Sequence, residues 1–193
     1  MTLSLRIAIL LTVFVAASPA TLIVATGSLS GTNENPVNAS PATGFTTVTL
    51  DDLAHTLHVV VNFTGLLAPN TAAHIHCCVD PPGNISVATT TPTFTGFPSG
   101  VTSGSYDHTF DLTLDSSFNA AFVAAHGGTA AQAEADLAAG LVAGQAYLNI
   151  HSTLFPGGEI RDFLEPVPEP STILLFGGGL LALGLFRRRR TSL

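Results

Sequence analysis

His55-Thr56-Leu57-His58-Val59-Val60-Val61-Asn62-Phe63 alternates without a break. Leu57, Val59, Val61 and Phe63 fall on one side of an extended chain, and Thr56, His58, Val60 and Asn62 on the other. A period of two marks a strand with one face in a core. The rhythm recurs on both sides of this segment. Gly44–Leu50 places Thr46, Val48 and Leu50 on one face, and Asp51-Asp52 supplies the turn between the two runs. Ala72–Val79 and Ser105–Leu114 are further strand candidates. Gln145–Ser152 and Glu159–Leu164 form a hairpin candidate around Phe155-Pro156-Gly157-Gly158. Residues 89–104, rich in Thr, Ser, Pro and Gly, read as a long loop.

One stretch breaks the alternation. Ser116–Ala143 is alanine-rich, with Phe118, Ala121, Phe122 and Ala125 at helical spacing. His126-Gly127-Gly128 stops that helix. Thr129 caps a second one, striped by Ala133, Leu137 and Leu141 and ending near Gly140 and Gly144. Many short strands with one helical insertion predict a mainly β chain, an antiparallel β-sandwich with a short helical insertion.

Both ends have a different character. Met1–Ala25 has one base, Arg6, an apolar run from Ile7 to Ala17, and cleavage options at Ser18-Pro19-Ala20 and Ile23-Val24-Ala25. This reads as an N-terminal signal peptide, residues 1–25, for signal peptidase. At the other end Pro168-Glu169-Pro170 precedes the apolar run Ile173–Phe186 and the bases Arg187, Arg188, Arg189 and Arg190. The run is short for the ~30 Å hydrocarbon core, but the arginines suit a cytoplasmic lipid surface and not a protein core. One C-terminal transmembrane helix is expected, with the arginines as its stop. The domain between the ends is residues 26–165, and the tail is 166–193.

That middle domain holds twelve acids against the single base Arg161, a formal charge of −11. Such a surface repels nucleic acid and anionic polysaccharide unless cations bridge them, so nucleic-acid binding is excluded. The only cysteines, Cys77 and Cys78, are adjacent and make no ordinary disulfide. They are left as free thiols, an inter-chain bridge, metal ligands or small buried hydrophobes.

Pro168-Glu169-Pro170, an apolar helix and an arginine cluster together resemble the PEP-CTERM sorting signal. The resemblance implies a Gram-negative bacterium and processing by exosortase. The precursor would be anchored in the inner membrane by the tail, and the product would go to the cell surface or be secreted. The middle resembles the CHRD (chordin-type) domain. The residues carrying this are Leu29-Ser-Gly31 with Glu34-Asn-Pro36, Ala42-Thr-Gly44, Phe63-Thr-Gly65-Leu66, Ala73-His-Ile-His76, Gly144-Gln-Ala-Tyr147-Leu-Asn149-Ile-His151 and Pro156-Gly-Gly158-Glu-Ile-Arg161. This implies an immunoglobulin-like β fold and supplies no biochemical activity. Cys77-Cys78 stand where the family usually has a glycine.

The sharpest chemistry comes from period-two geometry. His74, His76 and Cys78 share one strand face, Tyr147, Asn149 and His151 a second, and Glu159 and Arg161 a third. If these strands pair, His74, His76, His151 and Glu159 meet, and histidines with a carboxylate suit Zn²⁺ or Cu²⁺. The alternative is a structural network in which Glu159 pairs with Arg161 and the histidines donate to carboxylates and carbonyls. A redox-active copper site of the copper–zinc superoxide dismutase kind is an analogy of fold only. His55, His58, His108 and His126 show no partner spacing. No nucleophile elbow, phosphate loop or Cys-x-x-Cys is present. Two functions follow: a non-catalytic, exosortase-sorted surface or matrix protein contacting protein or polysaccharide, or an exported metal-binding domain.

Overall fold

The computed structural model describes residues 22–168. Most of the signal-peptide stretch, Glu169, Pro170, the apolar run and Arg187–Arg190 lie outside the described residues. No helix among the described residues is long and apolar enough to cross a membrane.

The chain is mainly β and antiparallel. Its strands are β1 (Leu22–Ser30), β2 (Thr43–Asp51), β3 (Thr56–Thr64), β4 (Asn70–His76), β5 (Gly104–Asp111), β6 (Tyr147–Ser152), β7 (Ile160–Phe163) and β8 (Glu165–Pro166). They form one sheet in the order β4-β6-β7-β1-β2-β3-β5, with β8 also pairing β1. A single pair, Ser30 with Arg161, joins β7 to β1. The expected sandwich therefore takes the form of one curled sheet. Alternation decides what is inside: Val48, Leu50, Leu57, Val59 and Val61 of the β2–β3 ladder are buried, with Ile75, Leu148, Ile150 and Ile160 from the other half of the sheet.

Local chemistry fixes the joints. Asp51 closes the β2–β3 turn by accepting from the N–H groups of Leu53 and Ala54 at 3.0 and 2.9 Å. α1 (Ala120–Ala125) starts at Asn119, whose side chain accepts from Ala121 N–H. α2 (Ala130–Val142) starts at Thr129, as expected, with its hydroxyl accepting from Gln132 N–H. Leu137 and Leu141 sink into the core.

Two strands depart from the sequence reading. β1 begins at Leu22, inside the stretch assigned to the signal peptide, and pairs with β2 along its whole length from Leu22 opposite Asp51 to Ser30 opposite Thr43. β8 is too short to leave a pattern.

The irregular residues 85–94 run along the free edge of β4. Val87 bridges His76, Ala88 N–H donates to Ile75 O at 2.9 Å, and Phe94 N–H donates to Ala73 O at 2.9 Å. This segment blocks an exposed sheet edge. It also delivers two carbonyls to the site described next.

Candidate metal centre

β4 turns Ala73 and Ile75 into the core and His74 and His76 to its other face. The β4–β6 register sets Ala72 opposite His151, His74 opposite Asn149 and His76 opposite Tyr147. This register brings the three histidines together. One nitrogen from each of His74, His76 and His151 lies within 4.8 Å of the other two. The imidazole centroids of His74 and His151 are 4.8 Å apart, and those of His74 and His76 are 5.2 Å apart.

The far nitrogens fix the tautomers. His74 Nε2 donates to Pro92 O at 3.1 Å, His76 Nδ1 to Ile85 O at 2.7 Å, and His151 Nδ1 to Pro156 O at 2.9 Å. A carbonyl oxygen only accepts, so each of these nitrogens carries the proton. The remaining nitrogens are His74 Nδ1, His76 Nε2 and His151 Nε2. All three are buried and have no hydrogen-bond partner among the described residues. Each therefore carries a bare lone pair within one buried three-histidine cluster.

Burial keeps them that way. It lowers His74 to about 3, helped by His151 and His76 and opposed by the bond to Pro92. It lowers His76 to about 4. His151 is pushed down for the same reason, against the bond to Pro156. The rings are neutral at neutral pH. An orphaned buried acceptor costs about 1–3 kcal/mol. A water has two hydrogens and serves two of three such nitrogens. A cation serves all three. Zn–N bonds of ~2.0–2.1 Å set tetrahedral ligand nitrogens ~3.3 Å apart, so the rings need to close by no more than about 1.5 Å. A carbonyl on the second nitrogen is the arrangement that orients a metal-ligating imidazole.

Glu159, the fourth residue singled out from the sequence, is not in this group. The set of mutually close donors consists of His74, His76 and His151. Glu159 Oε1 instead accepts from Ser40 Oγ and from Leu67 N–H, both at 2.7 Å. Nor does Glu159 form the expected pair with Arg161, whose carboxylate neighbour is Glu34 at 3.8 Å. Arg161 is 1% exposed. It donates to Asn33 O at 2.7 Å, Pro82 O at 2.9 Å and the Asn84 side chain, which pins the loop leading to Ile85. Burial raises the Glu34 carboxyl to about 7, against the pull of Arg161.

Three of the four remaining histidines find carboxylate partners that spacing did not show, while His108 packs on the rings of Tyr106 and Phe110. His55 meets Glu134, His58 meets Asp107 and His126 meets Asp136, at 3.0, 2.8 and 2.8 Å. Cys77 and Cys78 are bonded to each other across a cis peptide, a vicinal disulfide beside the states left open above. The sulfurs pack on α2 at Gly140, where any Cβ would overlap both.

The model of the CHRD domain family matches residues 25–164, most of the chain. The chain belongs to the CHRD domain family. The match covers β1 from Ala25 through β7, and so contains the three histidines and their carbonyl partners. A PEP-CTERM protein-sorting motif matches residues 166–190, the segment that follows the CHRD domain directly. It marks an exported, exosortase-sorted protein of a Gram-negative bacterium, consistent with a signal peptide and secretion. No curated protein and no solved structure matches. CHRD is not a known enzyme family.

Proposed function

We propose that this CHRD domain is an exported metal-binding module, holding one Zn²⁺ or copper ion on His74 Nδ1, His76 Nε2 and His151 Nε2. The observation that carries the reading is the trio of buried, partnerless lone pairs whose opposite nitrogens are all tied to carbonyls. Neutral imidazole is a borderline donor that suits both metals. Three protein ligands leave a fourth position for water or a small anion, and with copper the site would be redox-active. The decisive experiment is elemental analysis of the exported protein, purified without a histidine tag. About one equivalent of zinc or copper that survives desalting supports the reading. A folded, metal-free protein that also fails to take up either ion refutes it.

A second reading rests on a different observation. A groove of about 510 Å³ is lined by Glu34, Asn35, Asn38, Asn84, Phe155 and Pro156. An aromatic ring, Phe155, at the side of an open polar groove suits the apolar face of a sugar. In this reading the domain is a non-catalytic surface or matrix module making protein or polysaccharide contacts after sorting. Retention of the protein by the host's own extracellular polysaccharide, lost in Phe155→Ala, tests it. The two readings use different residues and are compatible.

A further inference from the structure

β8 runs antiparallel to β1, with Ala25 opposite Pro166 and Thr26 opposite Glu165. Val167 N–H then donates to Val24 O at 2.7 Å. The chain thus enters the domain at Leu22 and leaves it at Pro168 side by side, at one end of the sheet. Register extends that end outward. Leu22 pairs with Asp51, so the 52–55 turn lies there, and Thr56 pairs with Asp111, so the 112–115 segment lies there too. Large apolar side chains are exposed on this rim: Leu22 at 47%, Leu53 at 75%, Leu114 at 52% and Val167 at 46%.

The sequence outside the described residues says what this end faces. Four residues, 18–21, separate the apolar run Ile7–Ala17 from Leu22 at the start of β1, and five, 168–172, separate Val167 from the run Ile173–Phe186. Five extended residues reach at most about 17 Å. Half of the difference between a ~30 Å hydrocarbon core and a ~40–45 Å bilayer, several ångströms, is used in crossing the headgroups. About 10 Å at most then remains between the headgroups and Val167. We propose that in the precursor the end bearing Leu22, Leu53, Leu114 and Val167 lies on the lipid headgroups, held there by the β1–β8 pairing.

Asp51, Asp111 and Asp115 sit on the same rim. They oppose anionic lipid, so the short tether holds the contact and intrinsic affinity does not. Once the tail is cut, the same charges favour departure. β6 and β7 place His151 and the 153–158 loop at the opposite end, so the groove looks away from the membrane. The proposal rests on Ile173–Phe186 acting as a membrane anchor, and the test separates the two.

The experiment uses the full-length precursor in phosphatidylethanolamine–phosphatidylglycerol vesicles containing headgroup spin-labelled lipid. An environment-sensitive dye is attached at Leu53→Cys, Leu114→Cys or, as the far-end control, Leu154→Cys. The native cysteines are bonded to each other and are not labelled. Most of the fluorescence is expected to be lost at 53 and 114 and little at 154. A precursor that does not float with the vesicles removes the anchor and the proposal together. A floating precursor quenched at 154, or equally at all three positions, overturns the orientation alone. Dye at 53 shielded from the quencher by a cross-linkable protein also overturns it.

Discussion

His76 stacks face to face on Tyr147, with ring centroids 4.6 Å apart and planes within 5° of parallel. The Arg161 guanidinium lies over the same tyrosine ring, 4.7 Å from its centroid. β4 and β7 flank β6, so the histidine and the arginine reach Tyr147 from its two neighbouring strands. The tyrosine hydroxyl also donates to Ile85 O at 3.2 Å and accepts from Ile85 N–H at 3.3 Å. Ile85 O is the carbonyl that holds His76 Nδ1. Arg161, Tyr147 and Ile85 thus form one support behind a single imidazole.

Tyr147→Phe keeps the stack and removes the hydroxyl. The expected result is a small loss of stability, about 1 kcal/mol. Metal affinity is expected to fall about 10-fold, the size of effect seen when an outer partner of a ligand is removed. Metal titration and chemical denaturation of the same variant check both. An unchanged affinity would mean that Ile85 is held well enough by the loop alone.

His74→Ala, His76→Ala and His151→Ala should each reduce bound metal to background while leaving the β-rich circular dichroism spectrum in place. Glu159→Gln should retain the metal, because Glu159 lies outside the three-histidine group and its Oε1 is engaged by Ser40 and Leu67. Metal lost in Glu159→Gln with the fold intact would restore the carboxylate as a ligand.

Stability of the metal-free protein should respond to pH at two places. His74 and His76 titrate at about 3 and 4 in the fold, against 6.5 in the unfolded chain. Below 6.5 the unfolded chain binds protons that the fold refuses, so stability is full above that pH and declines toward pH 4. Glu34 has the opposite sign. Its carboxyl is raised from 4.5 to about 7, so its contribution is full below 4.5 and lost as pH rises through 7. Between 4.5 and 6.5 the two histidines outweigh the single carboxyl, so denaturation in chelator should still show stability rising with pH there. Glu34→Gln should make that rise steeper, and the difference between the two proteins reads the carboxyl's share.

Signal peptidase should cut after Ala20, not after Ala25. Ile23 and Ala25 are 7% and 0% exposed, and the later cut would remove both together with the β1 end that pairs with β2 and β8. A loss of about 2–4 kcal/mol follows from the buried side chains alone. Mass spectrometry of the exported protein should find Thr21 at its N-terminus. A mature chain beginning at Thr26 would contradict the role given to β1.

Alternation at Leu57–Phe63, the caps at Thr129 and Gly144, and the shared face of His74 and His76 were legible in the sequence because each is a local periodicity or a local hydrogen bond. The sorting tail was legible because membranes and processing enzymes read linear composition. β1 was not, since Leu22–Ala25 has the small apolar residues of a signal-peptide end and only pairing with β2 makes it a strand. The fate of Glu159 was decided by Ser40 and Leu67, and that of Arg161 by Asn33, Glu34 and Pro82, all far away in the chain. Spacing could put His74 and His76 on one face, but it could not bring His151 to them, or say which nitrogen would stay bare. That depended on the carbonyls of Ile85, Pro92 and Pro156, irregular segments that only the folded chain lays against β4 and β6. Sequence determined which side chains share a face, because periodicity is local; tertiary structure determined which lone pairs remain unused, because hydrogen-bond partners are not.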